Sequence, residues 1–63
     1  MTIKWNIESP LVLNKQIELI AEDFIKDRHF SKENNAVLHD DGLTFIFTPC
    51  AGYIEVTVRQ ESL

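Results

Sequence analysis

The side chains best suited to chemistry in this chain are Cys50, His29, His39 and the adjacent pair Asp40 and Asp41. A thiol beside an imidazole could serve as a nucleophile with its base. A cysteine favours the reactive thiolate only near a positive charge, a helix N-terminus or a histidine. No Lys or Arg lies within eight positions of Cys50, the nearest being Arg59, so only the fold could bring a histidine to it. The same thiol and histidines, joined by a carboxylate, would compose a zinc site. Structural zinc sites, however, draw their ligands from Cys/His pairs about two to four residues apart, and the chain has no such pair. Two carboxylates that share acid and base work must face each other in environments that separate their pKa values. Adjacent aspartates followed by Gly42 suit a hairpin turn instead. There is no glycine-rich phosphate loop and no G-x-S-x-G elbow. The sequence therefore designates no catalytic, cofactor-binding or metal-ligating residue, and an enzyme is not expected.

The elements that would position these groups follow from periodicity. Thr2–Glu8 alternates, with Ile3, Trp5 and Ile7 on one side and Thr2, Lys4, Asn6 and Glu8 on the other, the mark of a half-buried strand. A helix follows. Ser9–Pro10 and Asn14 are both suitable starts, because serine and asparagine cap helices and proline suits the first turn. In a helix over residues 14–30, Ile17, Ile20, Ala21 and Phe24 share one arc with the preceding Leu13, with Ile25 at its edge and Lys15, Glu22 and Lys26 opposite. Leu19 falls among the charges. Arg28 and His29 occupy the last turn, where positive charge complements the helix dipole. After a polar loop over residues 31–36 come a short strand from Val37, a turn at Asp40–Gly42, a strand over residues 43–48, a turn at Pro49–Gly52 and a last strand over residues 53–60. The tail from Glu61 is expected to fray.

This order, β-α-β-β-β, predicts a single α+β domain over residues 1–63. One helix packs on a small antiparallel sheet that ends in a C-terminal meander. The expected core is Ile3, Trp5, Ile7, Ile17, Ile20, Phe24, Leu43, Phe45, Phe47, Ile54, Val56 and Val58.

Composition sets the class of partner. The chain of 63 residues has ten acidic and six basic side chains, a net charge of −4 and one cysteine. An acidic balance opposes binding to phosphate backbones or anionic lipid. No apolar run approaches the ~18 residues of a membrane span, and no secretory signal opens the chain. One unpaired thiol suits a reducing, cytoplasmic setting. A domain this small needs support, and one cysteine permits no internal disulfide, so formation of a homodimer gains weight. Lys4 and Arg59 would discourage edge-to-edge pairing if their strands lay at edges.

With the helix on one side, the other sheet face should be polar: Lys4, Asn6, Thr44, Thr48, Glu55 and Thr57. Ile46 and Tyr53 are the exceptions, with Val37 a third candidate. β-Branched and aromatic residues suit strands wherever they point, so a lone Ile46 requires no function. Together with Tyr53 it could instead centre a contact patch rimmed by Thr44, Thr57 and Arg59, since tyrosine and arginine are common interface anchors. Leu19 is a second, separate candidate. The expectation is a non-enzymatic protein-binding module, a regulator or inhibitor acting through its open sheet face, with no cofactor.

The alternative is an acidic mimic of nucleic acid that blocks a basic groove through Glu18, Glu22, Asp23 and Asp27, with Asp40 and Asp41. Lys15, Lys26 and Arg28 interrupt that pattern: over residues 9–30, four carboxylates against three cations leave only −1.

Overall fold

A computed structural model of the chain describes residues 2–8, 10–27 and 36–60. Its elements are β1 (Thr2–Ile7), α1 (Lys15–Asp27), β2 (Ala36–Leu38), β3 (Leu43–Cys50) and β4 (Tyr53–Gln60). The expected α+β order with a C-terminal meander is observed. The expected last helical turn at Arg28 and His29, most of the loop that follows and the tail lie outside the described residues.

The four strands form one sheet in the order β1-β4-β3-β2. Within the meander, β2–β3 and β3–β4 are antiparallel, whereas β1 runs parallel to β4. The sheet is therefore mixed rather than purely antiparallel. The long connection through α1 carries the chain from one edge to the other, so β2 can start in the same direction as β1. Two reversals later β4 has that direction too, and it enters beside β1. Parallel neighbours need such a crossover.

Helix α1 is capped by Asn14 and starts at Lys15, which settles the choice between the two candidate starts. The Ile17 N–H donates to Asn14 Oδ1 at 3.1 Å, and the Glu18 N–H donates to the Asn14 carbonyl at 3.1 Å. A short polar side chain is placed here to satisfy a donor that the first turn leaves unpaired. Pro10 lies instead in a turn closed by the Leu11 N–H on the Glu8 carbonyl at 3.1 Å. The cap yields a direct expectation: Asn14→Ala should lower stability by about 1 kcal/mol in urea titration, whereas Asn14→Asp should preserve it.

The helix covers one sheet face. Ile17 and Ala21 are buried with Leu43, Phe45, Phe47, Ile54, Val56 and Val58, and Ile3, Trp5, Ile7, Ile20 and Phe24 pack half-buried around them. Phe24 reaches down to Phe45 and Phe47, its ring centroid 5.9 and 6.3 Å from theirs. Ala21 is fully buried within that core. Register aligns Ile7, Val58, Phe45 and Val37 in one core-facing row across all four strands. Val37 thus faces the core and not the open face, a correction to its candidacy there. The strand that carries it starts at Ala36, one residue earlier than the periodicity suggests.

The hairpin between β3 and β4 is tighter than expected, with Ala51 and Gly52 alone forming the loop. Pro49 and Cys50 belong to β3. Pro49 is tolerated there because β2 pairs only as far as Ile46, leaving no neighbour on that side to miss its N–H. Gly52 has φ +86°, and a Cβ built on it would touch nothing within 4 Å. The cost of a side chain is therefore conformational alone. Gly52→Ala should destabilise by about 1–2 kcal/mol in thermal melts without altering the core.

Candidate functional site

The face of the sheet away from α1 is built by strand alternation. Register orders it into rows: Thr2, Tyr53 and Cys50; Lys4, Glu55 and Thr48; Asn6, Thr57, Ile46 and Ala36; and Arg59, Thr44 and Leu38. Among the described residues no element lies over it. Ile46, Thr57, Thr44 and Arg59 are brought together, as expected. Ile46 stands directly beside Thr57 and Ala36, and Thr44 between Arg59 and Leu38.

Tyr53 is not part of that group. It shares the open face but sits two rows from Ile46, with Lys4, Glu55 and Thr48 between. Four residues along β4 place its Cα about 13 Å from that of Thr57. Ile46 and Tyr53 therefore do not form one centre. Tyr53 pairs with Cys50 across the hairpin. The neighbouring Cys50 sulfur, through hydrogen bonding first and charge second, raises the Tyr53 phenol above its ordinary pKa of 10.0.

Arg59 is held. Its Nε donates to Glu8 Oε2 at 2.9 Å and its NH2 group to Glu8 Oε1 at 3.3 Å. This two-pronged pair joins the end of β1 to β4. Arg59 also lies on an interior strand, so it does not guard a sheet edge; the edges are β1 and β2. Exposed pairs of this kind contribute about 0.2–1 kcal/mol, so the pair fixes the geometry of the patch more than it stabilises the fold.

The residue that sequence reasoning missed is Leu38. It is 71% exposed, lies beside Thr44 on the open face, and with Ala36 extends the apolar surface from Ile46 to the β2 edge. The signal was available: if Val37 faces the core, its two neighbours must face out. A three-residue strand was too short for its alternation to be read without its partner. Leu19 is 53% exposed on α1, as expected of its position among charges. Val12, at 75% exposed, stands in the connection before the helix.

The groups considered for chemistry are separated. Cys50 is half-buried and donates its thiol hydrogen to the Thr48 carbonyl at 3.4 Å. His39 lies at the other end of β3, its N–H on the Leu43 carbonyl at 2.8 Å. The eight residues of β3 hold His39 and Cys50 roughly 20 Å apart or more. His29 lies outside the described residues. Asp40 and Asp41 are exposed in the β2–β3 turn, where Gly42 has φ +78°. The Asp41 carboxylate is 3.9 Å from His39 Nδ1. Among the described residues no three His, Cys, Asp or Glu side chains converge as metal ligands would. An open cavity of about 280 Å3 lies between the start of α1 and the Asp41 turn, and another of about 260 Å3 beside Cys50 and Tyr53. Both fall below the ~300 Å3 at which ligand pockets begin.

No helix among the described residues is long and apolar enough to cross a membrane. No protein-family model matches the chain, and comparison with curated proteins and with solved structures finds no significant match.

Proposed function

We propose that this protein is a small non-enzymatic binding module, a regulator or inhibitor that presents its open sheet face to a protein partner in a reducing, cytoplasmic setting. The observation that carries this reading is the apolar strip Ile46, Ala36 and Leu38, running from the middle of an uncovered face to its edge, with Leu38 71% exposed. Scattered exposed apolar residues need no explanation, but Ala36 and Leu38 are both exposed and adjoin the half-buried Ile46, and adjoining apolar residues on an uncovered face are the kind of surface that partners bury. The strip has the anatomy of an interface: an apolar centre, threonines 44 and 57 beside it, and a fixed ion pair of Arg59 with Glu8 at the rim. An acidic net charge of −4 directs it toward protein rather than phosphate surfaces.

The test is paired affinity capture with the wild-type chain, Ile46→Lys and Leu19→Lys. The reading expects a partner retained by the wild type and Leu19→Lys and lost by Ile46→Lys. Retention of one and the same partner by all three chains would remove the open face from consideration.

A further inference from the structure

The outer edge of β1 is complementary to itself. Register pairs Ile7 with Val58, and the Glu8 N–H donates to the Val58 carbonyl at 3.1 Å. In a parallel ladder the residues whose N–H and C=O face the neighbour alternate along the strand. Thr2, Lys4, Asn6 and Glu8 therefore direct their backbone groups at β4, and Ile3, Trp5 and Ile7 direct theirs outward. Among the described residues nothing pairs with that edge, and all three side chains are half-buried on the helix side. A row of unpaired donors and acceptors beside apolar side chains is a template for another strand.

We propose that a second copy of this chain pairs antiparallel along β1, about a two-fold axis at Trp5, to form one continuous eight-stranded sheet. This register sets Trp5 against Trp5 of the second copy and Ile3 against its Ile7, so every outward N–H and C=O of the three residues is satisfied. Among the described residues, moving the register two residues either way leaves two of the six hydrogen bonds unmade. Of those shifted registers, one also places Lys4 directly against Lys4, and like charges opposed across strands are destabilising. Lys4 does stand on an edge strand and so disfavours the register that opposes it to itself, but at the Trp5-centred register Lys4 meets Asn6 and Thr2 meets Glu8, with no like charges opposed. The helix-side row Ile3, Trp5 and Ile7 continues into its own copy, covering the exposed parts of all three. The contact is isologous and closes at two copies. It lies at the edge away from Leu38 and does not rest on the function proposed above.

Asn6 supplies the test, because its side chain is exposed and its Nδ2 donates only a long hydrogen bond, 3.5 Å, to Thr57 Oγ1. Sedimentation velocity across a concentration series, at low and high salt, should show the wild type moving from monomer to twice the monomer mass. Asn6→Glu places a carboxylate against Lys4 at two symmetric positions and should tighten the dimer about tenfold at low salt, with the gain fading at high salt. Asn6→Lys should weaken it by a similar factor, while circular dichroism reports an unchanged fold for both. Amide exchange should slow at Ile3, Trp5 and Ile7 as concentration rises. Three results would overturn the proposal. A monomer at every concentration up to millimolar would leave the edge to a strand from a different protein. A dimer with those amides unprotected would place the second copy elsewhere. A shift of both Asn6 variants in the same direction would refute the register.

Discussion

Replacing Phe45 by alanine is expected to remove much or all of the stability of the fold. Phe45 is fully buried, lies in the row that spans all four strands, and has the Phe24 and Phe47 rings at 5.9 and 6.2 Å. Truncating a buried phenylalanine costs about 3–5 kcal/mol, because the transfer energy of the ring is lost and the cavity collapses only in part. A domain of 63 residues has roughly 3–9 kcal/mol in total, at about 0.05–0.15 per residue. The substitution therefore consumes much or all of the stability. Phe45→Leu, which keeps most of the volume, should remain folded, with a loss of about 1.5 kcal/mol or less. Thermal melts separate the two: the leucine variant keeps a cooperative transition, and the alanine variant shows none or one lowered by roughly 15–30 °C. A mild effect of Phe45→Ala would mean that helix and sheet do not share one core.

The second large effect concerns binding rather than folding. Leu38→Lys should reduce partner affinity by about thirtyfold or more, the range of residues buried at an interface centre. Its effect on stability should stay within about 0.5 kcal/mol, because the side chain it replaces already stands in water. Ile46→Lys should match it in binding and cost somewhat more stability, since Ile46 is flanked by cross-strand neighbours on both sides. Arg59→Ala should matter less than either, because its guanidinium is already engaged by Glu8. Binding constants measured beside urea midpoints distinguish this pattern from general unfolding, which would lower both quantities together.

The elements with long, regular periodicity were legible in the sequence. Alternation over residues 2–8, 43–48 and 53–60 defined three strands and the inward faces that form the core. The 100° arc defined the buried side of α1. What escaped was information held in pairing. The direction of β1 depends on which edge it joins, and nothing within residues 2–8 encodes that. Arg59 looked like an edge guard because its own strand does not reveal that β1 lies beside it. Tyr53 and Ile46 looked like neighbours because each was an exception on the same face, whereas the register alone sets two rows between them. Val37 was a candidate for the open face and Leu38 was not considered for it, for the same reason: three residues carry too little alternation to fix a face until Phe45 is seen opposite Val37. Asn14 was legible as a cap only as one of two alternatives, and the hydrogen bond from the Ile17 N–H decides between them.

The proposed partner surface is the strip from Ile46 to Leu38. Methyl-resolved spectra of the isoleucine-, leucine- and valine-labelled chain, recorded with and without the captured partner, test it most directly. The methyl signals of Leu38 and Ile46 should shift or broaden on binding, while those of Leu19 and Val12, exposed elsewhere, should stay in place. Shifts at Leu19 and Val12 with Leu38 and Ile46 unmoved would contradict it.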